Sequence, residues 1–364
     1  MKLHSLEIEN FRAIKHLELD FTDELSRPRL MTLIVGPNGS GKTSIFDAID
    51  TVVKTAAIDT VVKIDENKRK DRLREGLILS SQQIVRGRGN QAKVVFEYSL
   101  SEDESAEIIN VYSLMKIRGF LQKAKISSYI FTQDSLKASW SFPSKNSKNL
   151  VDISYDRSPN LKVLGAREVV NQAIGRSMSS SIMFEKIGGV CYLDQRRTLQ
   201  LSKSFHGNVK DDFEYNDVLS WLFVYYARHN TWNEEKYGES YWARVKRLFN
   251  KICYPSELVG LESGPDSDTL ILRKNGFDYD LYQMSSGEHQ ILRILVGLTL
   301  AIAKNSIVLI DEIELNLHPT WQKRLIRALR DDTDNNQYIF TTHSPDVIGL
   351  FYDSEIIHLG NLSE

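Results

Sequence analysis

Three stretches of this sequence carry side chains whose types and spacing suit phosphate chemistry. The first is GPNGSGKT, residues 36–43. Its glycines let the backbone curl its N–H groups around phosphate oxygens, Lys42 can reach the β- and γ-phosphates, and the Thr43 hydroxyl can ligate Mg2+. The apolar run LMTLIV precedes the loop, and Ile45, Ile49, Val52 and Val53 follow at helical spacing. The loop therefore joins a buried strand to a helix whose positive end faces the anion. The second stretch is SIVLIDE, residues 306–312, an apolar strand ending in two carboxylates that are costly to bury without a cation. Asp311 is expected to hold Mg2+ through water, and Glu312 to orient and polarise the attacking water. The third is YIFTTHSP, residues 338–345, which places His343 at a strand end as a γ-phosphate contact, with Ser344 and Pro345 as N-cap and N1 of a following helix. Alone, each has a blander reading: a decorative turn, an acidic strand end, a structural histidine. Together they predict binding and hydrolysis of a nucleotide with Mg2+.

A fourth stretch, QMSSGEHQ at 283–290, looks like helix punctuation. Ser285 with Glu288 three residues on fits a capping box, and the apolar run ILRILVGLTLAIA follows as a buried helix should.

These residues need elements to position them. Residues 2–21 alternate as a β-hairpin with its turn near Arg12 and Ala13, and the segment 268–284 reads as a second hairpin turning at Asn275-Gly276. Between 92 and 187 short β-like runs alternate with polar turns, and 213–252 reads as two helices with an aromatic apolar face. The charged stretch 63–75 reads as a solvated helix or loop, with a DNA contact as the alternative. No sustained heptad occurs, so no long coiled coil is expected.

The 364 residues are 41% hydrophobic and 26% charged, the composition of a soluble globular protein. A net charge of −2 argues against a globally basic nucleic-acid binder, although a local patch is compatible with it. Cys191 and Cys253 give neither metal-ligand spacing nor a disulfide framework, which suits a reducing compartment. The start lacks a signal-peptide core, and Arg293 and Gly297 interrupt the most apolar run. The expected location is the cytoplasm, with no membrane partner.

The P-loop, MSSGEHQ, LIDEIELNLHPTWQ and TTHSP, in this order, resemble the ABC-type ATPases of the SMC, RecF and OLD group. The opening LEIENFRAIKHLELDF resembles the first hairpin of that group, and DEIELNLHPTWQ is most similar to compact ATPases of bacterial anti-phage systems such as Septu. The resemblance implies an α/β fold: a P-loop NTPase of ABC/SMC-head type with an N-terminal antiparallel β subdomain and a helical lobe. The expected division is an ATP-binding lobe from residues 1–195 and 306–364, with a β-rich insertion at about 100–187, and a helical signature lobe from 196–305.

For the site, the resemblance implies that Gly36, Asn38, Gly39, Ser40, Gly41, Lys42, Thr43 and Ser44 bind the phosphates of ATP. Ser285, Ser286, Gly287 and Glu288 stand at the signature loop, which completes the ATP site of a second protomer. Residues 313–318 stand at the D-loop, which crosses the dimer interface, with Pro319 opening the next helix, and His343 stands at the switch histidine. The glutamine that joins Thr43 and Asp311 at Mg2+ is best matched by Gln195, with Gln82 or Gln83 as alternatives. Two positions depart from the group: Ser286 replaces a frequent glycine, and Ile313 a frequent proline, which leaves the path of the D-loop open.

About twenty residues follow His343, too few for the TOPRIM domain that OLD nucleases carry there. The expected output is therefore a separate effector, a nuclease or toxin, docked on 100–187 or 205–280 and controlled by an ATP-bound homodimer or an assembly of dimers. The alternative is a RecF-like DNA-binding ATPase of repair or recombination, and a transporter subunit is a weak third. The basic runs at 86–89 and 195–197 are candidate DNA contacts in either case, or merely loop arginines near the nucleotide.

Overall fold

The computed structural model describes residues 1–58, 84–87, 90–117, 135–144, 156–158, 160–164, 166–167, 186–195, 213–263, 268–300 and 304–360. In chain order, β1 (Lys2–Phe11) and β2 (Ile14–Asp20) form the first hairpin, and β3 (Met31–Val35) leads through the glycine loop into α1 (Lys42–Ile58). Next come β4 (Ala92–Ser99), α2 (Glu102–Ile117), β5 (Leu136–Phe142), β6 (Asp156–Arg157) and β7 (Val190–Leu193). The helices α3 (Phe213–His229) and α4 (Tyr241–Cys253) precede β8 (Ser256–Ser263), β9 (Asp268–Lys274) and β10 (Phe277–Asp280). The last elements are α5 (Ser286–Leu300), β11 (Ile307–Ile310), α6 (Pro319–Arg330), β12 (Gln337–Thr342) and β13 (Ile356–His358).

The strands form an antiparallel sheet in the order β2-β1-β4-β5-β6, a parallel sheet in the order β13-β3-β12-β11-β7, and a small antiparallel sheet in the order β10-β9-β8. The first hairpin pairs Phe11 with Ile14 around the predicted turn. Its buried residues Leu3 and Leu6 lie three apart because the register with β4 shifts between Leu3 and Ser5. That bulge restores a common inward face for Leu6 and Ile8. At the second predicted hairpin Asn275 and Gly276 both have positive φ, 52° and 85°, as a tight two-residue turn requires.

The parallel sheet is covered on both faces, so its strand β11 (IVLI) is apolar and buried throughout. Ile307 and Leu309 face one core, shared with Ile45, Phe46, Ile49 and Val52 of α1 and with the inner face of the first sheet. Val308 and Ile310 face the other, shared with α4, α5 and α6. Ser240 caps α4, which turns Trp242, Val245, Phe249 and Ile252 inward at helical spacing.

The expectation of β structure at about 100–187 needs one correction, because α2 opens that region. Ser101 accepts from the Glu104 N–H (3.2 Å) and Glu104 accepts from the Ser101 N–H (3.4 Å), so residues 101–104 are a capping box that the strand-like runs around them concealed. Ile108, Val111 and Tyr112 are its buried stripe. A further strand, β8, lies between the two expected helices and the expected hairpin and adds to it as a third strand. The charged stretch 63–75 and residues Gln82 and Gln83 lie outside the described residues. Among the described residues, no helix is long and apolar enough to cross a membrane.

Candidate active site

Four neighbouring strands of the parallel sheet deliver the predicted residues to one edge. The glycine loop follows β3, His343 follows β12, Asp311 and Glu312 follow β11, and Gln195 follows β7, and in space these strands lie in that order. All four run parallel, so their carboxyl ends line a single crevice, where open α/β sheets bind ligands.

Within the loop, Gly39 and Gly41 have φ of 80° and 87°, conformations that side chains disfavour. The helix that follows begins at Lys42 and has no acidic residue in its first turn, so its positive end is not neutralised locally. Lys42 is buried, and its Nζ donates to the carbonyls of Gly36 (2.8 Å) and Pro37 (3.0 Å). Burial lowers its pKa, while Asp311, Glu312 and Glu314 act the other way. The Ser40 hydroxyl is buried without a protein partner, a donor left over inside a phosphate-sized cradle.

The Thr43 hydroxyl donates to Asp311 Oδ2 (2.9 Å), and Gln195 Nε2 reaches both Thr43 Oγ1 (3.3 Å) and Glu312 Oε1 (2.9 Å). Gln195 thus lies beside Thr43, one of the two residues it was expected to join, and its second bond goes to Glu312. A hydroxyl and a fully buried carboxylate side by side suit a small, hard cation that completes its octahedron with phosphate oxygens and water. The residues present fit Mg2+ and a nucleoside triphosphate.

Glu312 sits at φ 45° immediately after the strand, half-buried. Burial raises its pKa, and the charges of Asp311 and Glu314 raise it further, which improves it as a base. Thr341, which sequence reasoning passed over, holds both acids: its hydroxyl donates to Asp311 Oδ1 (2.5 Å) and accepts the Glu312 N–H (2.8 Å). The only sequence trace of this role is a hydroxyl residue two places before His343. In Thr341→Val the same volume remains but the buried N–H of Glu312 loses its partner, a loss of about 1–3 kcal/mol. Calorimetric ATP binding should change little, whereas phosphate release should slow about tenfold or more. An unchanged rate would remove Thr341 from the site.

The histidine strand end departs from its predicted cap in detail. Ser344 is the N-cap of a one-turn helix, Pro345–Ile348, but makes no side-chain cap bond; its hydroxyl donates instead to Gln322 Oε1 (2.9 Å). The His343 side chain is exposed, while its N–H donates to Glu314 Oε1 (2.6 Å). Ile313, where proline is frequent in the resembling group, donates its N–H to the Thr341 carbonyl (3.1 Å), a bond proline lacks. Pro319 opens α6 as expected, capped by His318.

At residues 285–288 the capping box is complete. Glu288 Oε2 accepts from the Ser285 N–H (2.7 Å) and hydroxyl (2.9 Å), and Ser285 Oγ accepts the Glu288 N–H (3.3 Å). Ser285 and Ser286 are exposed. Glu288 requires a correction: its carboxylate is 3% exposed and also accepts from Tyr279 (2.7 Å), so it orders the loop and is turned away from any second molecule. Gly287 is buried too. A Cβ there would lie 2.9 Å from both the Asn316 carbonyl and Trp321, so only glycine lets this loop pack against residues 313–318. Arg86 is tied to the first hairpin through the Ala13 carbonyl, and residues 88, 89, 196 and 197 lie outside the described residues.

The profile of a family described as an AAA ATPase domain matches residues 1–348. The chain belongs to that family. The match spans every motif assembled above, and the protein is an ATPase. The ATPase is 24% identical over 98% of its length to a protein named Retron Vc95 probable ATPase from Vibrio cholerae serotype O1 biovar El Tor, covering 73% of it. Over 26% of its length it is 35% identical to Septu protein PtuA of Bacillus thuringiensis, covering 26% of that protein. Among solved structures it matches the SMC head domain from Thermotoga maritima with a TM-score of 0.45 at 15% identity, covering 96% of this chain and 92% of that one.

Proposed function

We propose that this ATPase is a slow, regulatory switch that closes as a two-fold dimer around two Mg2+-bound ATP molecules and, in that state, holds or licenses a separate nuclease or toxin in anti-phage defence. One observation carries the dimer: Lys42, Thr43, Asp311, Glu312 and Gln195 are gathered at one crevice, whereas the capped helix start at Ser285 and Ser286 is exposed. Glu288 already caps the first turn of α5, so what this helix start offers a second copy is the exposed pair Ser285 and Ser286, against which a phosphate bound by that copy can lie.

In this mechanism the loop N–H groups and Lys42 bind the polyphosphate, and Thr43 and Asp311, with Gln195 alongside, would hold Mg2+, which when bound would supply neutralisation of phosphate charge. Glu312 orients and deprotonates the attacking water, and His343 faces the γ-phosphate. Ser285 and Ser286 of the partner subunit close the site. Loss of the bridging phosphate on hydrolysis then opens the dimer. Residues 1–195 and 306–364 form the ATP-binding lobe and 196–305 the signature lobe in this reading.

The similarity to a retron ATPase and to a Septu protein supports the defence role over a RecF-like repair clamp. Affinity purification from the native host, followed by mass spectrometry, should recover the product of a neighbouring gene in an ATP-dependent complex. ATPase rates should be insensitive to duplex DNA. A RecF-like clamp would behave oppositely, with no such partner, DNA-stimulated turnover and DNA binding that falls about 10³-fold or more between 50 and 200 mM salt.

A further inference from the structure

The segment after the catalytic strand is anchored in three directions. Residues 311–316 run as consecutive turns, with positive φ at Glu312 (45°) and Asn316 (58°). First, Glu314 reaches across to the end of β12: its Oε2 accepts the Thr342 hydroxyl (2.7 Å) and its Oε1 the His343 N–H (2.6 Å). Second, Gln322, buried on α6, donates to the Leu317 carbonyl (2.8 Å) and accepts from the Ser344 hydroxyl (2.9 Å). Third, the Asn316 carbonyl lies against Gly287. The chain that bears Glu312 therefore touches both the strand end bearing His343 and the helix start bearing Ser285.

The chemistry at Glu314 is specific. Its negative charge acts on both Lys42 and Glu312, beside Asp311, where a third carboxylate is costly in a crevice that is partly buried. A glutamine of the same shape would avoid that cost, but it offers one acceptor oxygen and points an NH2 donor at the other partner. A carboxylate accepts from the His343 N–H and the Thr342 hydroxyl at once through charge-assisted bonds, whereas a glutamine leaves one neutral acceptor and forces the Thr342 hydroxyl, which already accepts the Ser344 N–H (3.0 Å), to turn and accept a second time.

We propose that Glu314 is a positioning residue for hydrolysis: it holds the backbone of His343 beneath the γ-phosphate and ties that strand end to the segment packed on Gly287. The link gives each ATP site of the dimer a mechanical path to the signature loop its own chain lends to the partner. This rests on the reading above, in which His343 faces the γ-phosphate and residues 285–287 complete a second site.

The test uses the full chain and a double-mutant cycle on kcat and KM for ATP, with ATP affinity by calorimetry, dimerisation by light scattering and thermal midpoints for every variant. Glu314→Gln should lower kcat about tenfold or more while KM and ATP affinity stay within about twofold of wild type. In a His343→Ala background the same change should alter kcat by less than about twofold, because Glu314 acts through that residue. Thr342→Val, which removes one of the two bonds, should show a smaller loss of kcat and the same non-additivity. A structural role alone would instead lower the thermal midpoint and leave the two kcat losses multiplicative, and that result overturns the proposal. Wild-type kcat in His343→Ala would overturn the site reading together with it. If wild type stays monomeric with ATP but the cycle is non-additive, the dimer falls and the positioning role of Glu314 stands.

Discussion

Glu312→Gln should bind ATP as tightly as wild type or more tightly, hydrolyse it at least about a hundredfold more slowly, and stay dimeric after ATP is added. The substitution is nearly isosteric, and the amide oxygen can still accept from Gln195, which bonds Glu312 Oε1 at 2.9 Å. The backbone anchor to Thr341 is untouched. What disappears is a carboxylate whose proton affinity is raised by burial and by the neighbouring charges of Asp311 and Glu314, the group best suited here to take a proton from water. Removing one of three clustered negative charges also eases entry of a polyanion, so binding should not weaken. Single-turnover phosphate release and light scattering with excess ATP and Mg2+ measure both effects. Wild-type turnover in this variant would show that another group activates the water.

Ser285→Arg should bind ATP within a fewfold of wild type yet fail to dimerise on adding it. The proposed ATP contacts within one chain, Lys42, Thr43, Asp311 and Glu312, bond to the loop carbonyls, to one another and to Gln195 and Thr341, whereas Ser285 bonds to Glu288. The lost cap costs about 0.5–2 kcal/mol, which lowers the thermal midpoint without unfolding a chain of this size. The larger effect is steric, because an exposed position meant to abut a phosphate would carry a long side chain that holds two copies apart. Ser285→Ala separates the two contributions: it loses the same cap bonds but adds no bulk, and should retain most of the ATP-driven dimer. An ATP-dependent dimer of normal stability in Ser285→Arg would remove residues 285–287 from the interface and with them the composite site.

The local pieces of this machine were legible before any fold was known. Gly39 and Gly41 announce positive φ, Lys42 and Thr43 follow at the spacing a phosphate cradle needs, and Asp311 and Glu312 end a strand too apolar to be exposed. The capping box at Ser285 and Glu288 was readable in the same way. The one at Ser101 and Glu104 was equally local and was obscured only by β-like runs on either side. Thr341 and Glu314 were different. Each acts through hydrogen bonds to residues about thirty positions away, and no periodicity marks such partners.

The sequence by itself determined which residues can hold a triphosphate and where the strands and helix starts that carry them lie, because turn geometry, capping and apolar spacing act over a few neighbouring residues. Only the tertiary structure decided that β3, β12, β11 and β7 stand side by side, although they occur along the chain as β3, β7, β11 and β12. Backbone hydrogen bonds between strands are the same whatever the side chains, so strand order follows from how both faces of the sheet are covered. That order puts Gln195 against Thr43 and Glu312 and sets Thr341 beneath both acids, while the bond from Tyr279 of the small sheet turns Glu288 inward, leaving Ser285 and Ser286 exposed.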